Sequence, residues 1–419
     1  MRIDRRLIDG LLSRAAFDHP VERVELKETH ISWLILAGDF VYKIKKPIAL
    51  DFLDFGDLEK RSFYCHEEIR LNQPWAPDIY LDVVPVTLQG DQPRFGGSGD
   101  PVEYAVRMRR FDEDMRLDRQ LELGKLTVED MRELANMIAK RHQEAAHVDA
   151  GQRSRVIRMT STFIEDNFTA LAGQIDVATF TLLQRWTTEE LSGVESLLQQ
   201  RFDDGFVRDC HGDLHLGNIV RLPDGITTFD CIEFSTDLRH IDVMCDLAFL
   251  IMDLYEKGRP DLAVHFLNRY LEVTGDYGGM AVLNLFFVYR CLVRAKVAVI
   301  MSQEREDVAA AKQDLAEANA YCNMAANQAG RRPPVLLLMH GLSGSGKTWV
   351  SEKLMAAMSA IRLRSDIERK RMVALHESAS SDSGLGEGIY TESLNRDVYG
   401  RLLSLAQPVL NAGHNVILD

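Results

Sequence analysis

Short apolar runs, several alternating with polar residues, make the first hundred positions of the chain strand-rich. Val24-Glu25-Leu26 begins a strand and Ile31 to Ala37 continues with a second. Gly38-Asp39 signals the hairpin turn from which Phe40 to Ile44 returns. The two-residue period puts Val41, Lys43 and Lys45 on one face of that third strand. Leu58 to Leu71 reads as a helix. Tyr80 to Thr87 and Val102 to Arg110 read as further strands, separated by a Gly-rich turn from Gly90-Asp91 to Gly99-Asp100. Beyond Phe111 the period becomes helical. Val128 to His147 places Met131, Leu134, Ala135, Ile138 and His142 on one face, which makes His142 a core histidine rather than a ligand. Two or three more helices fit residues 151–205, and two long ones fit Val282 to Asn327. The second of these, Arg305 to Gln328, has no strong apolar stripe and is expected to be exposed or packed between domains.

The pattern breaks at Gly330-Arg331-Arg332-Pro333-Pro334, where paired prolines stop any helix. Val335 to Met339 then forms a continuous apolar run of the kind found in a buried parallel strand. Trp349 to Met358 and Leu394 to Leu410 read as helices, Ile361 to Asp366 as a second strand, and Asn415 to Asp419 as a strand ending in an acid. The predicted fold class is α/β. An α+β bilobal domain is expected over 1–328, with a small lobe to about 110 and a large lobe from about 111. A linker at 329–334 leads to a parallel-sheet domain over 335–419. A complete sheet domain of that type needs more strands and helices than those residues supply. The region is therefore expected to be incomplete at its C-terminal end and marginally stable by itself.

Composition narrows the function classes. A length of 419 residues, with 46% hydrophobic and 27% charged residues, suits a globular protein of two or three domains. The formal net charge of -14 argues against a general binder of nucleic acid or anionic membrane, and is compatible with a cationic substrate. The six cysteines show no C-x-x-C pairing, which disfavours zinc and a disulfide framework and points to a reducing, cytoplasmic setting. The charged start MRIDRRLIDG is not a signal peptide, and Arg290, Arg294 and Lys296 interrupt the best membrane candidate, Leu283 to Ile300.

The chemistry concentrates in His211-Gly212-Asp213-Leu214-His215-Leu216-Gly217-Asn218, followed by a hairpin that turns at Pro223-Asp224-Gly225 and ends at Asp230. An acid, an amide five residues on and a second acid at a strand end divide the labour of phosphoryl transfer. Asp213 can take a proton from a hydroxyl, while Asn218 and Asp230 can hold Mg2+. A polar turn with solvated carboxylates would explain the residue types but not their spacing. HGDLHxGN with a strand-end Asp resembles the signature of the aminoglycoside phosphotransferase family, a branch of the protein-kinase-like fold. That resemblance implies a third-strand lysine on the ATP phosphates, held by a helix glutamate. Lys43 is the choice, with Lys45 and Lys46 as alternates, and Glu68 is preferred to Glu67. It also implies an adenine-binding hinge at Met108 to Phe111. No G-x-G-x-x-G precedes the strands, so the phosphate-covering contacts stay open; Thr29 and Ser32 read best as strand-end polar residues. Asp242 reads as a helix N-terminal acid, and Asp246 is expected to hydrogen-bond the backbone of the catalytic loop. Glu233 fits either a substrate or metal contact or a structural pair.

Gly341-Leu-Ser-Gly-Ser-Gly-Lys347-Thr348 is a full G-x-x-x-x-G-K-[ST] between a strand and a helix. The candidate nucleotide contacts are Gly341, Ser343, Gly344, Ser345, Gly346, Lys347 and Thr348, with Thr348 and Asp419 as candidate magnesium ligands. This half resembles small P-loop AAA or zeta-toxin-like NTPases and kinases. In such kinases an Asp at the exit of the second strand contacts the acceptor hydroxyl, and Asp366, near Arg369 and Lys370, matches it; a helix cap accounts for Asp366 equally well. The whole resembles a bacterial family of uncharacterised ATP-binding fusion proteins. The expected activity is transfer of the ATP γ-phosphate, with Mg2+, to a hydroxyl of an unidentified small molecule. Two alternatives remain: a nucleotide-dependent regulatory protein, or a small-molecule or polynucleotide-type P-loop kinase whose first domain recruits substrate. Neither acceptor nor oligomeric state is legible.

Overall fold

The computed structural model describes residues 5–50, 53–330, 333–342, 344–375 and 391–419. Contacts group it into two units, one formed by the chain to Leu126 together with Asp209–His240, the other by Thr127–Arg208 and Ile241–Asp419.

The first unit is built on a six-stranded antiparallel sheet. Helix α1 (Arg5–Leu11) precedes β1 (Val24–Glu28), β2 (Ser32–Ala37) and β3 (Phe40–Lys45). Helix α2 (Leu58–Asn72), β4 (Tyr80–Gln89), β5 (Gln92–Phe95) and β6 (Glu103–Arg109) follow, and the sheet order is β1-β2-β3-β6-β4-β5. Strand alternation separates two cores. Trp33, Ile35, Tyr42, Ile44 and Ala105 face α1 and Phe17, whereas Cys65 of α2 packs with Val106 and Met108 on the other side. Helix α2 starts at Asp57, whose carboxylate caps Lys60 N at 2.8 Å. Its Arg61 is buried against Glu103 of β6, with Nε 2.9 Å from Oε2. A hairpin, β7 (Ile219–Leu222) and β8 (Gly225–Thr228), completes the unit.

Strand β5 lies inside the stretch expected to be one long turn. Gly90, at φ +63°, turns the chain back so that Gln89 pairs with Gln92, and Pro93 sits on an edge strand where its missing N–H costs nothing.

The second unit is mostly helical. It contains α3 (Val128–Glu144), α4 (Arg153–Leu171), α5 (Val177–Asp203), α6 (Val243–Glu256), α7 (Pro260–Thr274), α8 (Met280–Glu304) and α9 (Val308–Ala329). It continues with β9 (Leu336–Leu338), α10 (Lys347–Met358), β10 (Ile361–Leu363), α11 (Ser365–Met372), α12 (Glu392–Asn411) and β11 (Val416–Leu418). His142 is a core histidine as its period predicts, bound by Tyr270 Oη at 3.0 Å and Asp246 Oδ2 at 3.2 Å. Asp242 caps α6 by accepting from Met244 N at 2.9 Å, and also takes a buried pair of bonds from Arg201. Among the described residues no helix is long and apolar enough to cross a membrane.

Two expectations are corrected. Helix α9 does bury one face, through Ala318, Tyr321, Cys322 and Ala325, against α8. Small side chains at helical spacing make a close seam that a search for large apolar residues overlooks. The apolar run Val335 to Met339 does form a parallel strand, but it is an edge rather than a buried strand. The sheet order is β9-β11-β10, and Leu336 and Leu338 remain 39% and 69% exposed.

The small sheet rests on α7. Val264 packs with Met355, Ala360 and Ile417, and the side chain of Asn268 stands in for a neighbouring strand. Its Nδ2 donates to Ala360 O at 3.0 Å and its Oδ1 accepts from Arg362 N at 2.7 Å. Asn268→Leu leaves both backbone groups buried and unpaired, at a cost of about 2–4 kcal/mol. Urea denaturation of the whole chain is expected to show a lowered midpoint; an unchanged one would mean that water replaces the side chain.

Candidate active site

Lys43 and Lys45 point from β3 toward α2 because they are two residues apart on one strand face. Both reach Glu68, which is fully buried. Lys43 Nζ is 2.8 Å from Oε1 and Lys45 Nζ is 2.7 Å from Oε2. Each lysine has a second acid. Lys43 lies 2.6 Å from Asp230 Oδ1, and Lys45 donates to Glu233. Burial alone would raise the pKa of Glu68, but the two ammonium groups overcome it and bring it down to about 2 from 4.5. The stabilisation this gives is complete above about pH 4.5 and is lost as the pH falls toward 2. Burial likewise opposes charge on Lys43, and Asp230 and Glu68 hold it well above its ordinary value. Glu233, more buried than paired, is shifted upward by desolvation. The alternates go elsewhere. Lys46 donates to Thr29 O at 2.5 Å, and Glu67 pairs with Arg70 at 2.7 Å. Thr29 closes the β1–β2 turn by accepting from Ser32 N at 3.0 Å, a strand-end role.

The loop before β7 carries the other candidates. Asn218 Nδ2 donates to Asp213 Oδ2 at 2.9 Å and to Asp213 O at 3.1 Å, so its amide nitrogen, and not its oxygen, is turned to Asp213. His215 Nε2 is 3.5 Å from the same Asp213 oxygen. The hairpin joins this loop to Asp230: Ile219 pairs with Thr228, and Phe229 N donates to Asn218 O at 2.9 Å. Asp230 has φ +62°, a left-handed conformation that costs a non-glycine residue about 1 kcal/mol or more. Its N–H is spent on Tyr80 Oη at 3.0 Å, while its carboxylate faces Lys43.

Three supporting residues escaped sequence reasoning. His211 Nδ1 accepts from Asp213 N at 3.3 Å and its Nε2 donates to Phe229 O at 3.0 Å, pinning both arms of the hairpin. Gly212, at φ +82°, passes so close to Leu238 O that a Cβ would sit 2.9 Å from it. Asn72 accepts from Cys231 N at 2.8 Å and donates to Glu68 O at 3.0 Å, tying the Asp230 segment to α2. The H-G-D spacing was the signal available for the first two. At the expected hinge, Arg109 and Arg110 spend their N–H groups on Ile79 O and Asp39 O, each at 2.7 Å. An open cavity of about 750 Å3 beside them is floored by Ile79, Phe111, Met115 and Leu222.

In the second unit, Gly341, Gly344 and Gly346 have φ of +150°, +78° and +85°, and a Cβ at Gly341 would meet Ser345 Oγ at 2.8 Å. These three positions thus favour glycine, and the last of them leads into the N-terminus of α10. Ser343 lies outside the described residues. Lys347 folds back onto the loop, donating to Gly341 O at 2.7 Å and Leu342 O at 2.8 Å. Thr348 is exposed, and Asp419 Oδ2 accepts from Ser351 Oγ at 2.8 Å, one turn further along α10. Asp366 occupies the first turn of α11, 3.3 Å from Lys370, and is not the residue at the cap position, which is Arg364. Oxygen-only donor sets, Asn218 with Asp230 and Thr348 with Asp419, suit a hard cation such as Mg2+.

Residues 109–283 match the model of the phosphotransferase enzyme family, and residues 336–419 match that of an AAA domain. One chain thus carries two separate matches, called below the phosphotransferase region and the AAA region after the models they match. An uncharacterized protein of Mycobacterium tuberculosis (strain H37Rv) is 29% identical over 408 residues, covering 96% of this chain and 79% of the relative. One of Mycobacterium bovis matches to the same extent. Among solved structures, the GDP complex of an aminoglycoside 2'-phosphotransferase is 14% identical and covers 76% of this chain and 99% of that one, with a TM-score of 0.45. A choline/ethanolamine kinase family protein from Mesorhizobium loti is 12% identical and covers 78% and 99%, at 0.43.

Removing one member of the lysine–glutamate network strands a buried charge. Lys45→Met is expected to cost about 3–5 kcal/mol by denaturant unfolding, with part regained in Lys45→Met/Glu233→Gln. A Lys45→Met protein as stable as the unmodified one would show that the second pair is not buried in solution.

Proposed function

We propose that the chain is an ATP-dependent phosphotransferase that moves the γ-phosphate to a hydroxyl of a small molecule, with a second magnesium–nucleotide site at the P-loop of the AAA region. The observation that carries this reading is the buried Lys43–Glu68 pair at 2.8 Å, with Lys43 also 2.6 Å from Asp230, which the hairpin joins to the Asp213–Asn218 loop. Lys43 is fixed by Glu68 and offers its remaining ammonium protons to a phosphate, displacing Asp230. Asn218 and Asp230 would hold Mg2+, which neutralises charge on the phosphates when bound. Asp213, oriented by Asn218, positions the acceptor hydroxyl and takes its proton. Positioning and charge neutralisation account for most of the rate in a loose phosphoryl-transfer transition state.

At the P-loop, Lys347 would exchange its two loop carbonyls for nucleotide phosphates, and Thr348 and Asp419 would hold the second Mg2+. A second reading makes this half the kinase. It is favoured by the backbone bond from Ser365 N to Asp419 O at 2.7 Å, since Ser365 directly precedes Asp366 in the chain.

ADP formation from ATP, assayed with a panel of hydroxyl-bearing acceptors, separates the two readings. Asp213→Ala is expected to lower acceptor-dependent turnover about 100- to 10,000-fold, while Lys347→Ala leaves it in place. The reverse pattern would move the chemistry to the P-loop. Equal, undiminished turnover in both variants would remove both readings.

A further inference from the structure

Arg362 occupies the middle of β10, between buried Ile361 and Leu363, and is itself 6% exposed. An arginine at such a position is tolerated only if it is paired. Its Nη1 lies 3.3 Å from Ser351 Oγ and 3.4 Å from Thr348 O, and Ser351 Oγ in turn donates to Asp419 at 2.8 Å. The guanidinium is therefore one hydroxyl away from the candidate metal acid. On its other side Nη2 stands 3.6 Å from Oε1 of Glu272, in α7 of the phosphotransferase region. Arg364, two residues before Asp366, approaches that same oxygen at 3.8 Å. Neither approach closes a hydrogen bond: Arg362 Nε and Glu272 Oε1 are both buried without a hydrogen-bond partner. Glu272 is 6% exposed, so its charge acts in a poorly screened interior.

We propose that Glu272 is a counter-charge that holds Arg362 off Asp419, so that a helix of the phosphotransferase region sets the magnesium affinity of the P-loop. The inference rests on the reading of Gly341–Thr348 and Asp419 as a magnesium–nucleotide site. An arginine that closes onto Asp419 occupies the place of the cation and cancels the charge that attracts it. With Glu272 present, the guanidinium is drawn toward α7 and Asp419 keeps its charge for the metal. Glu272 and Arg362 are positioning residues, acting through Asp419 rather than on the nucleotide. Because Arg364 leans on the same carboxylate oxygen, a shift of α7 is felt on both the metal side and the Asp366 side of the AAA region.

The sign of the effect separates this role from packing. Mg2+ is titrated into the full chain with ADP, and the fluorescence of Trp349, which adjoins Thr348 and is 68% exposed, reports the P-loop. The part of the signal lost in Lys347→Ala is taken as that site's. Glu272→Gln is expected to raise the Mg2+ concentration for half-saturation at least about 5-fold. Arg362→Met is expected to lower it, and Glu272→Gln added to Arg362→Met should shift it no further. Arg362→Gln, which removes the charge with less change in polarity, gives the same sign should the Met variant not fold. Shifts in the same direction for both single variants, or none, would overturn the proposal while leaving the P-loop reading intact. No Lys347-dependent signal in the unmodified chain would overturn that reading and this inference together.

Discussion

Keeping two ammonium groups charged inside the protein is the constraint on which the first site depends. Lys43 and Lys45 have lost nearly all contact with water, and each buried charge is tolerable only with complete pairing. Glu68 supplies one oxygen to each, and Asp230 and Glu233 supply the second partners. The lysines and their acids come from three places in the sequence, so strand β3, helix α2 and the segment after β8 must all be seated before any one of them is stable. Asn72 and the Arg61–Glu103 pair fix α2 at the required depth, and His211 fixes the loop that carries Asp213. The candidate site is consequently held in place by the same interactions that hold the unit together.

The second unit shows a different dependence. The phosphotransferase and AAA regions match separate family models, yet the small parallel sheet uses α7 as its support: Asn268 completes the edge of β10, and Val264 packs against Ile417. Polar contacts continue from that support, through Glu272 and Arg362, to Ser351 and Asp419. The P-loop is thus connected to a helix outside its own sequence region by chemistry as well as by packing.

Much of this was legible in the sequence where a period or a spacing had only one physical solution. Alternation in β3 fixed the face of Lys43, the helical period of α3 made His142 a core residue, and the D-x-x-x-x-N spacing brought Asp213 and Asn218 into contact. What escaped depended on partners distant in the chain. Nothing local says that both oxygens of Glu68 are taken by two lysines, nor that Glu233 is buried to meet the second. The seam of α9 was hidden because alanines carry little hydrophobic signal, and β5 because proline and glycine disguise an edge strand. The exposure of Leu336 and Leu338 depends on strand order, which an apolar run does not encode.

The most direct test of the two-site account is the stoichiometry of magnesium–ATP binding by calorimetry, on the unmodified chain and on Lys43→Ala and Lys347→Ala. Two sites are expected, with one lost in each variant. A single site, abolished by Lys347→Ala and untouched by Lys43→Ala, would show that the buried lysine–glutamate network holds the fold together without holding a nucleotide.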